Sequence, residues 1–357
     1  MSESKAKKWF ISCLSILFLF FLAIAAITII VDPYFHYHKP LPFLSYRLYE
    51  ERYTNDGISR HFEYDALITG TSMAQNFKPS EMDALFGTTT IKNTFSGAGY
   101  KELSEHLDRA LSRNEELKTV VWALDYNGLM RDADWQQYDT YPTYLYDNNP
   151  FNDVSYLFNK SIFYHGVLPC ITMTLSGEQS TTMDEYSSWV NETGLEHILY
   201  SYNRYDLGDN IETEFTPEKQ ETVTTTITKN VIDLVNKYPD TTFYLFYPPY
   251  SICYWDAQYM KGTLLQEIAA EQLATELLLE CPNVKLYNFF DKHEVICNLD
   301  YYNDPVHYSN EVNSMILEWI SQDIGLVTKD NYLEKLEAEK EFFTGYDYDS
   351  IYAGIEE

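Results

Sequence analysis

Apolar residues fall along this chain in two modes. From Trp9 to Val31 they run for 23 residues without a charge, a length that crosses a bilayer as a helix. From Tyr64 onward they come in short blocks separated by segments with helical spacing. The blocks at 64–69, 88–92, 119–124, 242–247 and 284–287 are mostly apolar or β-branched, and read as buried strands. Between them, residues 100–111 place Leu103, Leu107 and Leu111 at intervals of four. A second helix opens at Thr216-Pro217, a capping residue followed by a proline at the first helical position, and carries the apolar face Val223, Ile227, Val231 and Leu234. A third is expected over 259–279, and a last one from Ser309 carries Val312, Met315, Ile316, Trp319 and Ile320 before Gly325. Strands alternating with helices predict an α/β fold with a parallel sheet, preceded by one transmembrane helix.

The expected organisation is a cytoplasmic amino terminus (1–8), a membrane anchor (9–31), an extended Tyr-, Pro- and His-rich connection (32–63), and an α/β domain (64–324). That domain is interrupted by an insertion at 126–215, and a carboxyl-terminal helix with an acidic aromatic tail (325–357) follows it. The small residues Ala23, Ala25 and Ala26 offer only a weak cleavage site, so the run reads as an uncleaved anchor. Lys5, Lys7 and Lys8 precede it against the single acid Glu3, which holds the amino terminus in the cytoplasm and puts everything after Asp32 outside.

Charge narrows the partners. A formal net charge of −29 argues against nucleic acid and accounts for solubility. An anionic polymer would have to be held by local contacts rather than steered. Cys13 lies in the apolar run, while Cys170, Cys253, Cys281 and Cys297 lie beyond it with no C-x-x-C spacing. One or two disulfides and small buried thiols are equally compatible with that pattern. Asn191-Glu192-Thr193 matches a glycosylation acceptor, a pattern too short to carry function.

The first strand block ends in Thr69-Gly70-Thr71-Ser72. A serine past a strand's carboxyl end is ordinarily a turn residue. It becomes a nucleophile when an imidazole oriented by a carboxylate takes its proton. Of the eight histidines, His36 and His38 adjoin the apolar run, His61 precedes the first strand, His106 sits in a helix, and His165 and His197 fall in the insertion. His293 follows a strand in Asp291-Lys292-His293. Only His307, in Asp304-Pro305-Val306-His307, has a carboxylate three residues earlier in a segment between the last strand and the last helix. That position returns to the sheet edge of Ser72.

These residues resemble a family. Gly70-Thr71-Ser72 after the first strand, Asn93-Thr94-Phe95-Ser96-Gly97 after the second, Asp125-Tyr126-Asn127 after the third and Asp304-x-x-His307 before the last helix look like the ordered blocks of the SGNH/GDSL hydrolase superfamily. The resemblance covers roughly 64–324. With the anchor, it is most similar to the exported branch that includes the D-alanine transfer protein of lipoteichoic acid synthesis and alginate-type O-acetyltransferases. It implies a three-layer α/β/α sandwich with a flavodoxin-like parallel sheet, Ser72 as nucleophile, His307 as base and Asp304 as its orienting carboxylate. The N–H groups of Ser72 and Gly97 with the Asn127 side chain would form the oxyanion hole. Thr71 replaces the usual aspartate, and Asp125 precedes Asn127 by two residues where the family has asparagine before aspartate. Asn93, or no side chain at all, therefore competes for the Asn127 role.

What the resemblance implies is a membrane-anchored extracytoplasmic serine acyltransferase or esterase, of O-acetyl or D-alanyl type, acting on a cell-envelope polysaccharide or teichoic acid without cofactor or metal. A multispanning membrane-bound O-acyltransferase would be its acyl donor. The alternative is a catalytically inert envelope protein of the same fold that binds polymer or a membrane partner. Tyr250, Ser251 and Trp255, after Pro248-Pro249 at the end of a strand, are further expected to face a sugar or polyol.

Overall fold

The amino-terminal apolar run folds as one helix, α1 (Glu3–Val31), in a computed structural model that describes residues 3–189, 192–204 and 211–353. Asn191 of the glycosylation triplet lies outside the described residues. Over Ser4–Val31, α1 is long and apolar enough to cross a membrane, and little of it is buried by protein. The chain divides into two compact units, Met1–Phe62 with Thr140–Thr182 and Glu63–Asp139 with Met183–Glu357.

In the first unit, α1 stops at a side-chain network rather than at a glycine. The buried Asp32 carboxylate accepts from the backbone N–H of His36, Tyr37 and His38 and from the Tyr156 hydroxyl at 2.7 to 3.0 Å. Burial raises its pKa against the opposing effect of those donors. His38 Nε2 meets the Ile29 carbonyl at 2.9 Å, occupying an end-of-helix acceptor. The region 32–63 is not an extended connection throughout, because Glu51–His61 forms a helix. Its buried face includes Thr54, Asn55, Asp56 and Ser59, and so carries no apolar period. Hydrogen bonds replace apolar contacts: Arg60 pairs with Asp56 at 2.9 Å and donates to the carbonyls of Leu145 and Asp147. The insertion expected over 126–215 is divided as well, with residues 140–182 belonging to this unit and its two ends to the other.

The second unit holds a six-stranded sheet in the order β2-β1-β3-β4-β5-β6. β1 (Ala66–Gly70), β2 (Thr90–Thr94), β3 (Thr119–Ala123), β4 (Thr242–Tyr247) and β5 (Val284–Asn288) are parallel, and the two-residue β6 (Leu326–Val327) pairs antiparallel with β5. β2 starts and ends two residues later than its apolar block and takes in the polar Lys92, Asn93 and Thr94, all buried. The Lys92 ammonium is satisfied by the carbonyls of Gln75 and Phe77 at 2.6 and 3.0 Å, which removes the cost of burying it. The helix opened by Thr216 is capped by that hydroxyl and buries Val223, Ile227, Val231 and Leu234 as expected.

Instead of one helix over 259–279 there are two, Ile252–Lys261 and Leu264–Leu278. They are separated by Gly262 at φ +66°, where a Cβ would collide with the Ile211 carbonyl. The closing helix Tyr332–Gly345 packs back on the unit. Its Glu339 and Glu271 of Leu264–Leu278 are both buried and share the Asn288 amide as donor. Burial raises both carboxyl pKa values.

Candidate active site

The strand order reverses direction between β1 and β3, so the loops leaving their carboxyl ends diverge and open a crevice. Gly70, the last residue of β1, has φ +147°, and a Cβ there would lie 2.9 Å from that of Ala74 and 3.1 Å from that of Ala123. Only glycine lets the chain turn this tightly into the short 3₁₀ helix Ser72–Ala74. Thr71 caps that helix through its hydroxyl, which also donates to Asp125 at 2.8 Å.

The turn places Ser72 Oγ 2.7 Å from His307 Nε2. On the other side of the ring, His307 Nδ1 meets Asp304 Oδ2 at 2.7 Å, while Asp304 Oδ1 accepts the backbone N–H groups of Val306 and His307 at 2.9 and 2.8 Å. Burial opposes the Asp304 charge, but the His307 side chain and these backbone donors outweigh it and hold the carboxyl pKa below the ordinary value. An ionised Asp304 fixes the tautomer that leaves Nε2 free to accept from the serine. The Asp304–His307 loop is itself clamped: Ser251 donates to the Pro305 carbonyl through both its N–H and its hydroxyl, at 3.1 and 2.7 Å. Asn313, in the helix Asn310–Ser321, donates to the Met73 carbonyl at 3.0 Å, joining the Ser72 turn to the helix that follows His307. Trp189 lies edge-on to the His307 ring at 5.5 Å.

A cavity of about 160 Å³ opens over this arrangement, lined among others by Ser72, Gly97, Asn127, Arg131, Tyr250 and His307. Among the described residues, the N–H groups of Ser72 and Gly97 and the Asn127 side chain donate to no protein acceptor. They are thus unspent donors on one small cavity. Asn93 lies within β2, buried and away from the cavity lining, so it is not placed to replace Asn127.

The three aromatic-loop residues separate by role. Tyr250 lines the cavity and donates to Asp125 Oδ1 at 2.5 Å. Ser251 is buried in its clamp on Pro305, and Trp255 is stacked on Phe343 with centroids 4.0 Å apart. Neither of these faces the cavity; both are consumed by packing.

Two features of the site were not foreseen. Asp125 is a second carboxylate of the crevice, its pKa raised by burial despite the Tyr250 and Thr71 hydroxyls and the positive influence of His307 and Arg131. Its place directly after a strand at the edge that carries Ser72 was the available signal. Arg131 brings a guanidinium to the cavity lining, stacked 4.2 Å above the Trp135 ring; no local pattern marked it. All five cysteines are free thiols. Among the described residues, no group of His, Cys, Asp and Glu converges as metal ligands. No family model matches the chain, and no curated protein or solved structure is significantly similar to it.

Proposed function

We propose that the protein is a membrane-anchored serine acyltransferase or esterase of the SGNH type, with a three-layer α/β/α catalytic domain outside the cytoplasm and a cell-envelope polysaccharide or teichoic acid as substrate. The reading rests on one observation: Ser72, His307 and Asp304, from segments more than 200 residues apart, meet in a hydrogen-bonded chain of two 2.7 Å contacts at a sheet edge. Such a chain is the geometry that activates a serine hydroxyl.

Ser72 Oγ attacks the carbonyl carbon of an ester or thioester while His307 Nε2 takes its proton, and Asp304 balances the imidazolium. The carbonyl oxygen, now an anion, accepts from the N–H groups of Ser72 and Gly97 and the Asn127 amide. As the tetrahedral adduct collapses, the departing alkoxide or thiolate takes the proton from Nε2 and leaves the acyl group on Oγ. A second hydroxyl then repeats the sequence in reverse, from the polymer in a transferase or from water in an esterase. Pockets that take drug-sized ligands measure roughly 300–1,000 Å³, so a cavity of about 160 Å³ suits a short acyl group such as acetyl or alanyl. The anchor favours transfer, with the acyl group supplied by a multispanning membrane protein.

A fluorophosphonate probe tests this on the detergent-solubilised full chain. Covalent labelling at Ser72, lost in Ser72→Ala, is the expected result. A folded chain that never labels would instead be an inert binding protein of the envelope.

A further inference from the structure

We propose that residues 153–166 form a helical hairpin that enters the outer face of the bilayer beside α1, with Phe158 among the acyl chains and the Lys160 ammonium at the lipid phosphates. This rests on the reading of α1 as a membrane span.

The hairpin's depth follows from its contacts along α1. At its start, Asp153 bonds His36 Nε2 and the Tyr37 hydroxyl at 3.1 and 3.0 Å, just past the end of α1. The chain then descends through Val154–Leu157 until the Phe158 ring lies 5.6 Å from that of Phe21. Phe21 is ten residues before Val31, roughly 15 Å along the helix axis. From there the chain returns through Lys160–Ile162 and a π-helical turn, Phe163–Val167, until Gly166 approaches the Pro33 ring. Descent and return are thus both measured against the same helix.

α1 cannot lift these contacts clear of the membrane. The part of the apolar run below Phe21, from Trp9 to Phe20, is 12 residues, or roughly 18 Å, well short of a hydrocarbon core of about 30 Å. The last turns must therefore be covered by lipid. Ile27, Ile29 and Ile30, on those turns, remain 40, 39 and 54% exposed to whatever surrounds the protein. A segment packed against Phe21 shares their surroundings.

The hairpin's composition fits that place. Val154, Phe158 and Tyr164 are 58, 45 and 57% exposed, an apolar surface without a protein cover. At the tip, the Asn159 side chain accepts from the N–H groups of Ser161 and Ile162, so these two backbone donors do not enter the membrane bare. Lys160 lies 5.9 Å from the Tyr164 ring centroid, with a long stem that can carry its charge up to the headgroups.

The test uses the full chain in phosphatidylcholine–phosphatidylglycerol nanodiscs, with the photo-crosslinker p-benzoylphenylalanine at position 158, 18 or 200. Phe18 marks the span and Tyr200, 96% exposed in the other unit, is the control. Mass spectrometry should find lipid adducts at 18 and 158 and none at 200. Lipid at 18 without lipid at 158 overturns the hairpin while leaving the span standing. A protein–protein crosslink at 158 overturns it in favour of a second copy. No lipid at 18 removes the span and the hairpin with it.

Discussion

Replacing Glu267 with glutamine should flatten the dependence of stability on pH. Glu267 is buried in the helix Leu264–Leu278, its Oε2 has no partner, and burial together with the neighbouring Glu271 pushes its pKa from 4.5 up to about 8. Between those values the unfolded chain has released the proton and the folded chain still holds it. Stability from this group is therefore complete below about pH 4.5 and is lost as pH rises towards 8. A displacement from 4.5 to about 8 corresponds to about 5 kcal/mol at most. Glutamine keeps the volume and carries no titrating proton, so this part of the slope disappears. Melting curves of the detergent-solubilised full chain, recorded from pH 5 to 9, should nearly coincide for wild type and Glu267→Gln at the acidic end. At the alkaline end the variant should melt higher by on the order of 5–10 °C. Parallel curves for the two proteins across the range would refute the reasoning, since they would mean that Glu267 ionises alike in the folded and unfolded states.

Three further outcomes are expected. In the triad, Ser72→Ala should abolish acyl-enzyme formation, His307→Ala should nearly do so, and the double variant should be no worse than Ser72→Ala; Asp304→Asn should retain more activity, and additive losses in single-turnover kinetics would contradict a shared unit. Thr71→Val deletes a hydroxyl donor to the half-buried Asp125 and should cost about 1 kcal/mol in chemical denaturation, together with reduced fluorophosphonate labelling as the Ser72 turn loosens; unchanged values in both assays would make the Thr71–Asp125 contact incidental. Trp255→Ala removes the ring stacked on Phe343 and should lower stability by about 3–5 kcal/mol while the folded fraction still labels at Ser72; a loss of substrate affinity with unchanged stability would return Trp255 to the binding surface.

Much of this protein was legible from local pattern alone. β4 (Thr242–Tyr247) is bounded as its apolar block is, and Thr216 caps its helix, because both signals lie within a few consecutive residues. Ser72, His307 and Asp304 could be singled out by their order relative to strands and helices, which a parallel sheet converts into proximity at one edge. The apolar run at 9–31 likewise announced α1 by length.

What local pattern could not supply depends on partners distant in sequence. Asn93 and Asn127 are equivalent as asparagines after strands; only the registration of β2 against β1 buries the first and leaves the second on the cavity. Ser251 and Trp255 follow a rigid proline loop much as Tyr250 does, yet the Pro305 carbonyl and the Phe343 ring claim them, from a loop and a closing helix far along the chain. The helix Glu51–His61 escaped notice because its buried face is polar, satisfied by hydrogen bonds rather than by apolar contacts, and so carries no hydrophobic period. The hairpin beside α1 has the same origin: the exposure of Phe158 acquires its meaning from Phe21, more than 130 residues earlier. Local pattern marked most of the elements and the order of the candidate site residues, whereas tertiary packing decided which polar and aromatic side chains were spent on the fold and which remained on the cavity.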